Sequence, residues 1–193
     1  MSYIDQIPEE QAEGPLRALY EHDLQADGYV SHTTWAFSHR PDVLAAFRET
    51  QRLVRSHLRL RQYELVTLAA AAALGCRYCM LAHGEVLRKN GFSLEQVQAV
   101  LTDFRTAGLT PAEVHMCELG RKLSLDPHAV TPEDVRVLHA DGFTDAQITD
   151  IALAAAVRNF YSRYFESLGI QPDEEMIERE PELWAFISQA ARA

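Results

Sequence analysis

The residues best suited to chemistry lie close together: Cys76-x-x-Cys79, then three residues, then His83, with Glu64 separated from the first cysteine by eleven residues. On a helix turning about 100° per residue, the two cysteines lie about 60° apart and Cys79 and His83 about 40° apart, so all three share one face. A thiol pair beside an imidazole is the composition of a redox or nucleophilic site, because imidazole accepts a proton near neutral pH and only the thiolate attacks. The second thiol lies one turn away. It can condense with a sulfenic acid on the first, form a disulfide and stop further oxidation.

Glu64 joins this group only if the chain turns back. In one unbroken helix it would stand about 22 Å from Cys79, at about 1.5 Å of rise per residue. Leu74 and Gly75 supply the break, since glycine is a poor interior helix residue and a natural turn. A helix starting near Cys76 would place the pair at its positive end, where thiolate is favoured. Glu64 would then orient His83, and His83 would take the thiol proton.

The surrounding elements read as helices throughout, giving an all-α fold. Ser93-x-x-Gln96, Thr110-x-x-Glu113 and Thr144-x-x-Gln147 have the form of capping boxes, and Pro41, Pro111 and Pro132 suit first helical positions. Gly91, Gly108, Gly142 and Gly169 mark helix ends. The pattern predicts helices near 9–25, 41–57, 61–73, 76–90, 93–106, 111–124, 132–140, 145–168 and 173–190. Tyr29–Ser38 alone is rich in β-formers and reads as a loop or short helix. A faint internal repeat aligns Gln62–Ala72 with Gln147–Val157 at an offset of 85, carrying Cys76 onto Tyr161 and Cys79 onto Tyr164. It predicts a pseudo-repeated helical hairpin with thiols in the first copy only. The alternative is two alanine-rich buried helices that look alike because both need small residues.

Composition narrows the function. The 193 residues suit a single domain spanning 1–193, large enough for its own core without metal or disulfide. The 28 acidic against 18 basic residues, a formal charge of −10, disfavour a nucleic-acid partner. The most apolar run, Leu65–Cys76, is too short to span a membrane, and the first twenty residues have no signal-peptide pattern, so a cytoplasmic location is expected. Three cysteines do not make a disulfide scaffold.

Glu64, Cys76-x-x-Cys79 and His83 together resemble the signature of the alkylhydroperoxidase AhpD-like, carboxymuconolactone decarboxylase superfamily. The chain length, His39-Arg40-Pro41 and the Asn159–Gly169 segment resemble its peroxidase-related branch. The resemblance implies an all-α AhpD-like fold and reduction of hydrogen peroxide or alkyl hydroperoxides without a cofactor. It also implies a dithiol or lipoyl-type electron donor and a homo-oligomer: a trimer, hexamer or dimer. By residue, it makes Cys79 peroxidatic, Cys76 resolving, and His83 with Glu64 a proton relay. One position departs from the pattern: characterised AhpD has a histidine before the second cysteine, where this chain has Tyr78.

Two other readings compete. A thiol-independent decarboxylase would not need the cysteine pair. A zinc-stabilised or redox-sensing module would use His83 as third ligand and Cys117 or His115 as fourth, but such sites usually show two knuckle-like pairs. Cys117 reads as a small core residue. His32 and His39 are pocket-lining candidates, Arg158 and Arg163 face a pocket, an interface or salt-bridge partners, and Asp173, Glu174, Glu175, Glu178 and Glu180 read as a solvated helix start.

Overall fold

The computed structural model describes residues 2–190, and they form eleven α-helices with no strand among them. In chain order these are α1 (Gly14–Asp27), α2 (His32–Ala36), α3 (Pro41–Ser56), α4 (Leu60–Ala73), α5 (Arg77–Lys89) and α6 (Leu94–Asp103). They continue as α7 (Pro111–Leu125), α8 (Pro132–Ala140), α9 (Asp145–Leu168), α10 (Glu174–Arg179) and α11 (Pro181–Ala190). The three expected capping boxes are formed at Ser93, Thr110 and Thr144. Prolines 41, 111 and 132 sit in the first turns of α3, α7 and α8.

Three expected helices are divided: 93–106 ends as α6 at Asp103, whose extended backbone starts a 3₁₀ turn at Phe104–Thr106, and two others break at proline. The 9–25 segment divides into a 3₁₀ turn at Glu9–Gln11 and α1, and the 173–190 segment divides at Glu180 into α10 and α11. Pro15 and Pro181 lack an amide proton and disfavour helical conformation in the residue before them, so a helix begins there but does not pass through. Tyr29–Ser38 contains the short helix α2, capped by the Ser31 hydroxyl on the Thr34 amide.

The core is built around α4. Every residue from Gln62 to Ala71 is buried, because α5, α6, α7 and α9 surround it. A helix covered on all sides must be apolar around its circumference, and its alanines let neighbours come close. On α7, Gly120 packs against α4: a Cβ there would stand 3.4 Å from the Val66 side chain and carbonyl.

The repeat resolves into one hairpin and one continuous helix. Between α4 and α5 the chain reverses at Gly75, whose φ of +66° lies in the left-handed region that glycine tolerates best. At the offset of 85, Gly75 corresponds to Phe160, and α9 runs unbroken through it from Asp145 to Leu168. The expected second hairpin is therefore absent from 145–168. Its place is taken by a long helix packed along α4, with its later turns against α5.

Candidate active site

Three helices bring the site together. The Gly75 turn makes Cys76 the N-cap residue of α5 and Cys79 the third residue of its first turn. Both thiols are free and fully buried. From α4, Glu64 and Thr67 point into the same region, and from α9 come Arg158, Tyr161 and Ser162, all buried.

The turn brings Glu64 onto His83. Its carboxylate Oε2 lies 2.6 Å from His83 Nδ1, and Thr67 Oγ1 lies 3.1 Å from the same nitrogen. The Thr67 hydroxyl donates its one proton to the Tyr63 carbonyl at 2.7 Å. Its oxygen is thus left to accept, and Nδ1 carries the hydrogen. This fixes the tautomer and leaves Nε2 free as a base. Burial, helped by the Arg158 charge, lowers the pKa of His83 against the opposing pull of Glu64. The other Glu64 oxygen lies 3.6 Å from Arg55, whose side chain is half exposed.

The hydrogen bond to the Cys79 sulfur comes from elsewhere. Arg158 Nη1 donates to Cys79 Sγ at 3.1 Å, and no hydrogen bond joins His83 directly to that sulfur among the described residues. Burial alone would raise the Cys79 pKa. It is instead held well below the usual thiol value by the Cys76 thiol, the charges of Arg158 and His83, and the Ser162 hydroxyl, which has no other partner among the described residues. The Cys76 pKa moves the opposite way, raised by its hydrogen bond to Cys79, by burial, by the Cys79 charge and by Glu166. Glu166 is held at this helix end by the Arg77 amide at 3.2 Å. One thiolate and one thiol is therefore the favoured state of the pair.

A cavity of about 260 Å³ reaches this region, with His83, Arg158, Arg48 and Gln51 as polar lining and Tyr78, Phe165 and Met176 as apolar lining. Cys79 does not line it, but Arg158, which does, touches the Cys79 sulfur. Arg48 is tied to Asp23 at 3.3 Å and to Thr34 at 2.7 Å. Tyr78 points away from the thiols: its hydroxyl donates to Asp173 Oδ2 at 2.6 Å and accepts from Thr33 at 3.0 Å. Burial and the Asp173 charge raise its pKa well above the usual phenol value, so it does not act as a base near neutral pH.

Residues 41–122 match the sequence model of the carboxymuconolactone decarboxylase family. The fold is similar to that of the alkylhydroperoxidase AhpD core, peroxidase-related protein of Ralstonia eutropha JMP134, at 25% identity and a TM-score of 0.82, covering 91% of this chain and 94% of that one. Over residues 41–122 the chain is similar to the carboxymuconolactone decarboxylase family, and its fold is AhpD-like. A peroxidase-related protein of Silicibacter sp. TM1040 has the same fold at 21% identity and a TM-score of 0.76, covering 90% of each chain. So does the debrominase Bmp8, at 17% identity and a TM-score of 0.74, covering 94% of this chain and 96% of that one. No curated relative matches the chain at a significant level. The family match runs from α3 through most of α7 and so includes Glu64, Cys76, Cys79 and His83, whereas Arg158 lies outside it.

The remaining candidates are dispersed. His32 stacks on Trp35 and its amide donates to Asp173 at 2.6 Å, while exposed His39 lies 2.8 Å from the Asp5 carbonyl. Arg163 donates to the Ser124 carbonyl at 3.3 Å. His115 is paired with Asp141 at 2.7 Å and the Cys117 thiol faces the Leu65 carbonyl at 3.7 Å, so neither joins the cysteine pair. No group of three or more metal-ligating side chains converges among the described residues. Of the acidic cluster, Asp173 is buried and ties α2 to Tyr78, unlike the solvated start expected for it. Thr67 was not among the sequence candidates. Its signal was its place three residues after Glu64 on one helical face.

Proposed function

We propose that the protein is a thiol-dependent peroxidase in which Cys79 attacks the peroxide and Cys76 resolves the product. The observation that carries this reading is the asymmetric pair itself: two buried thiols one turn apart, with Cys79 beside the Arg158 guanidinium and near an imidazole of fixed tautomer. The Cys79 thiolate attacks the hydroxyl oxygen of the hydroperoxide, an S–O bond forms, and the O–O bond breaks. His83 Nε2 takes up one proton from solvent and passes it to the departing alkoxide, which leaves as the alcohol. The Cys76 thiol then attacks the Cys79 sulfenic acid, the S–S bond forms and the S–O bond breaks. The departing hydroxide takes the Cys76 proton and leaves as water. An external dithiol restores both thiols by exchange and carries away the two oxidising equivalents.

Glu64 holds Nδ1–H and stabilises His83 whenever it is transiently protonated. The likeness to peroxidase-related proteins supports the same reading, as does the retention of both cysteines, which an acid–base decarboxylase would not use. The test is rapid-mixing oxidation of the reduced protein by hydrogen peroxide and by an alkyl hydroperoxide, with mass spectrometry locating the disulfide. The expected result is stoichiometric peroxide loss with a Cys76–Cys79 bond. No peroxide loss, or loss undiminished by Cys79→Ser, would sink the proposal.

A further inference from the structure

We propose that Arg158 is a further catalytic residue, the counter-charge of the Cys79 sulfur, and that this contact makes the Cys76–Cys79 disulfide a strong oxidant. The inference deepens the peroxidase reading and rests on it for its place in turnover. The geometry stands without it. Arg158 is buried, its Nη1 lies 3.1 Å from Cys79 Sγ, its Nε has no hydrogen-bond partner, and it forms no ion pair with a carboxylate among the described residues.

A buried guanidinium cannot shed its proton, and burying a charge without a partner is costly. The remaining groups around the sulfur do not relieve that cost. From α5 come Cys76, whose thiol stays protonated, and His83. From α4 come Tyr63 and, at one remove through His83, Glu64. From α9 come Ser162 and Tyr161, whose hydroxyl pKa burial pushes up to about 12. The anion that balances Arg158 is therefore the Cys79 sulfur, provided that sulfur is a thiolate.

A redox consequence follows from this charge arrangement. When Cys76 and Cys79 join, two electrons leave the pair, the sulfur loses its negative charge, and Arg158 is left buried without a counter-ion. Reduction restores the anion. A dithiol whose reduced form is stabilised in this way yields an oxidising disulfide. The external dithiol supplies the electrons in the exchange: its first thiolate breaks the protein S–S bond in a mixed disulfide, and its second thiol releases the donor as its own disulfide.

The experiment follows thiolate ultraviolet absorbance against pH in a Cys76→Ser background, with Arg158 intact, as Arg158→Lys and as Arg158→Gln. The wild-type, Lys and Gln forms, with both cysteines present, are also equilibrated against glutathione redox buffers. With Arg158 intact, Cys79 is expected to titrate well below the ordinary thiol value. Gln raises that midpoint by about two pH units and Lys retains most of the depression. Gln also moves the dithiol–disulfide equilibrium toward disulfide about tenfold to hundredfold, or about 30 to 60 mV. A midpoint near the ordinary thiol value with Arg158 in place overturns the proposal without any arginine variant, as does a folded Gln variant that titrates like its parent. If the titrations come out as expected but the reduced protein consumes no peroxide, the peroxidase reading fails and the Arg158 pairing stands.

Discussion

Cys79 and Cys117 are both fully buried thiols, 0% exposed, on helices that pack against α4. Their chemistry nevertheless diverges. Around Cys79 the neighbours are Arg158, His83 and a second thiol, and they overcome the burial that would keep it protonated. Around Cys117, burial acts unopposed, the nearby carboxylates of Glu113 and Glu118 add to it, and the pKa rises. Exposure does not distinguish the two thiols. The charge brought to the sulfur by other helices does.

The largest test of that contrast removes the nucleophile. Cys79→Ser should lower peroxide reduction by about a thousandfold or more, because a hydroxyl at its ordinary pKa is a far weaker nucleophile than a thiolate. Initial rates with saturating dithiol measure it. Next in size is His83→Gln, expected to cost about a hundredfold through loss of the proton carrier. Glu64→Gln should cost a similar amount, because an amide can offer its NH₂ where the carboxylate held Nδ1–H and so favours the other tautomer. An effect at His83 with none at Glu64 would show that Thr67 alone holds the ring.

How much of this contrast the sequence carries depends on the residue. Glu64, Cys76, Cys79 and His83 are legible because they form one local pattern with a visible glycine break, and the structure joins Glu64 to His83 across that turn. Arg158 is not legible in the same way, because 79 positions separate it from Cys79 and only the packing of α9 along α4 and α5 unites them. Its one local sign is a cation directly after the alanine-rich run Ala154-Ala155-Ala156-Val157, where a solvated helix face would not need so many small residues. The fold was readable through its caps and prolines. The same rules applied to Pro15 and Pro181 would have divided the first and last helices correctly. The repeat misled because similar apolar faces at α4 and α9 say nothing of whether residue 75 or 160 can turn the chain, and that is decided by glycine against phenylalanine.

A subtler test reads the two thiols through stability. Cys79 has a folded pKa below the unfolded value of 9.0, so its contribution is present above that pH and is lost as pH falls toward the folded value. Cys117 has a folded pKa above 9.0, so its contribution is present below that pH and declines as pH rises past it. Each slope approaches about 1.4 kcal/mol per pH unit within its window. Denaturant unfolding of the reduced protein should show that Cys79→Ser flattens the rise in stability from neutral pH to about 9, whereas Cys117→Ser acts on the slope only above it. The pKa of His83, depressed from 6.5, adds a further loss of stability as pH falls below that value, which His83→Gln should remove.

The smallest expected effect belongs to Cys117→Ala. It removes one buried sulfur from the contact between α7 and α4 and should cost about 1 kcal/mol of stability with peroxide turnover unchanged within about twofold. The contact makes this a demanding test, because the Cys117 thiol faces the Leu65 carbonyl at 3.7 Å, one residue along the backbone from Glu64. If reactivity at Cys79 is set by the charges around its own sulfur, a small adjustment of α4 at Leu65 leaves the Glu64–His83 contact of 2.6 Å intact and the rate with it. A tenfold loss of turnover in a folded Cys117→Ala variant would mean that α7 positions Glu64 through α4. The inert thiol would then be a support of the reactive one, and the two regions would no longer be independent.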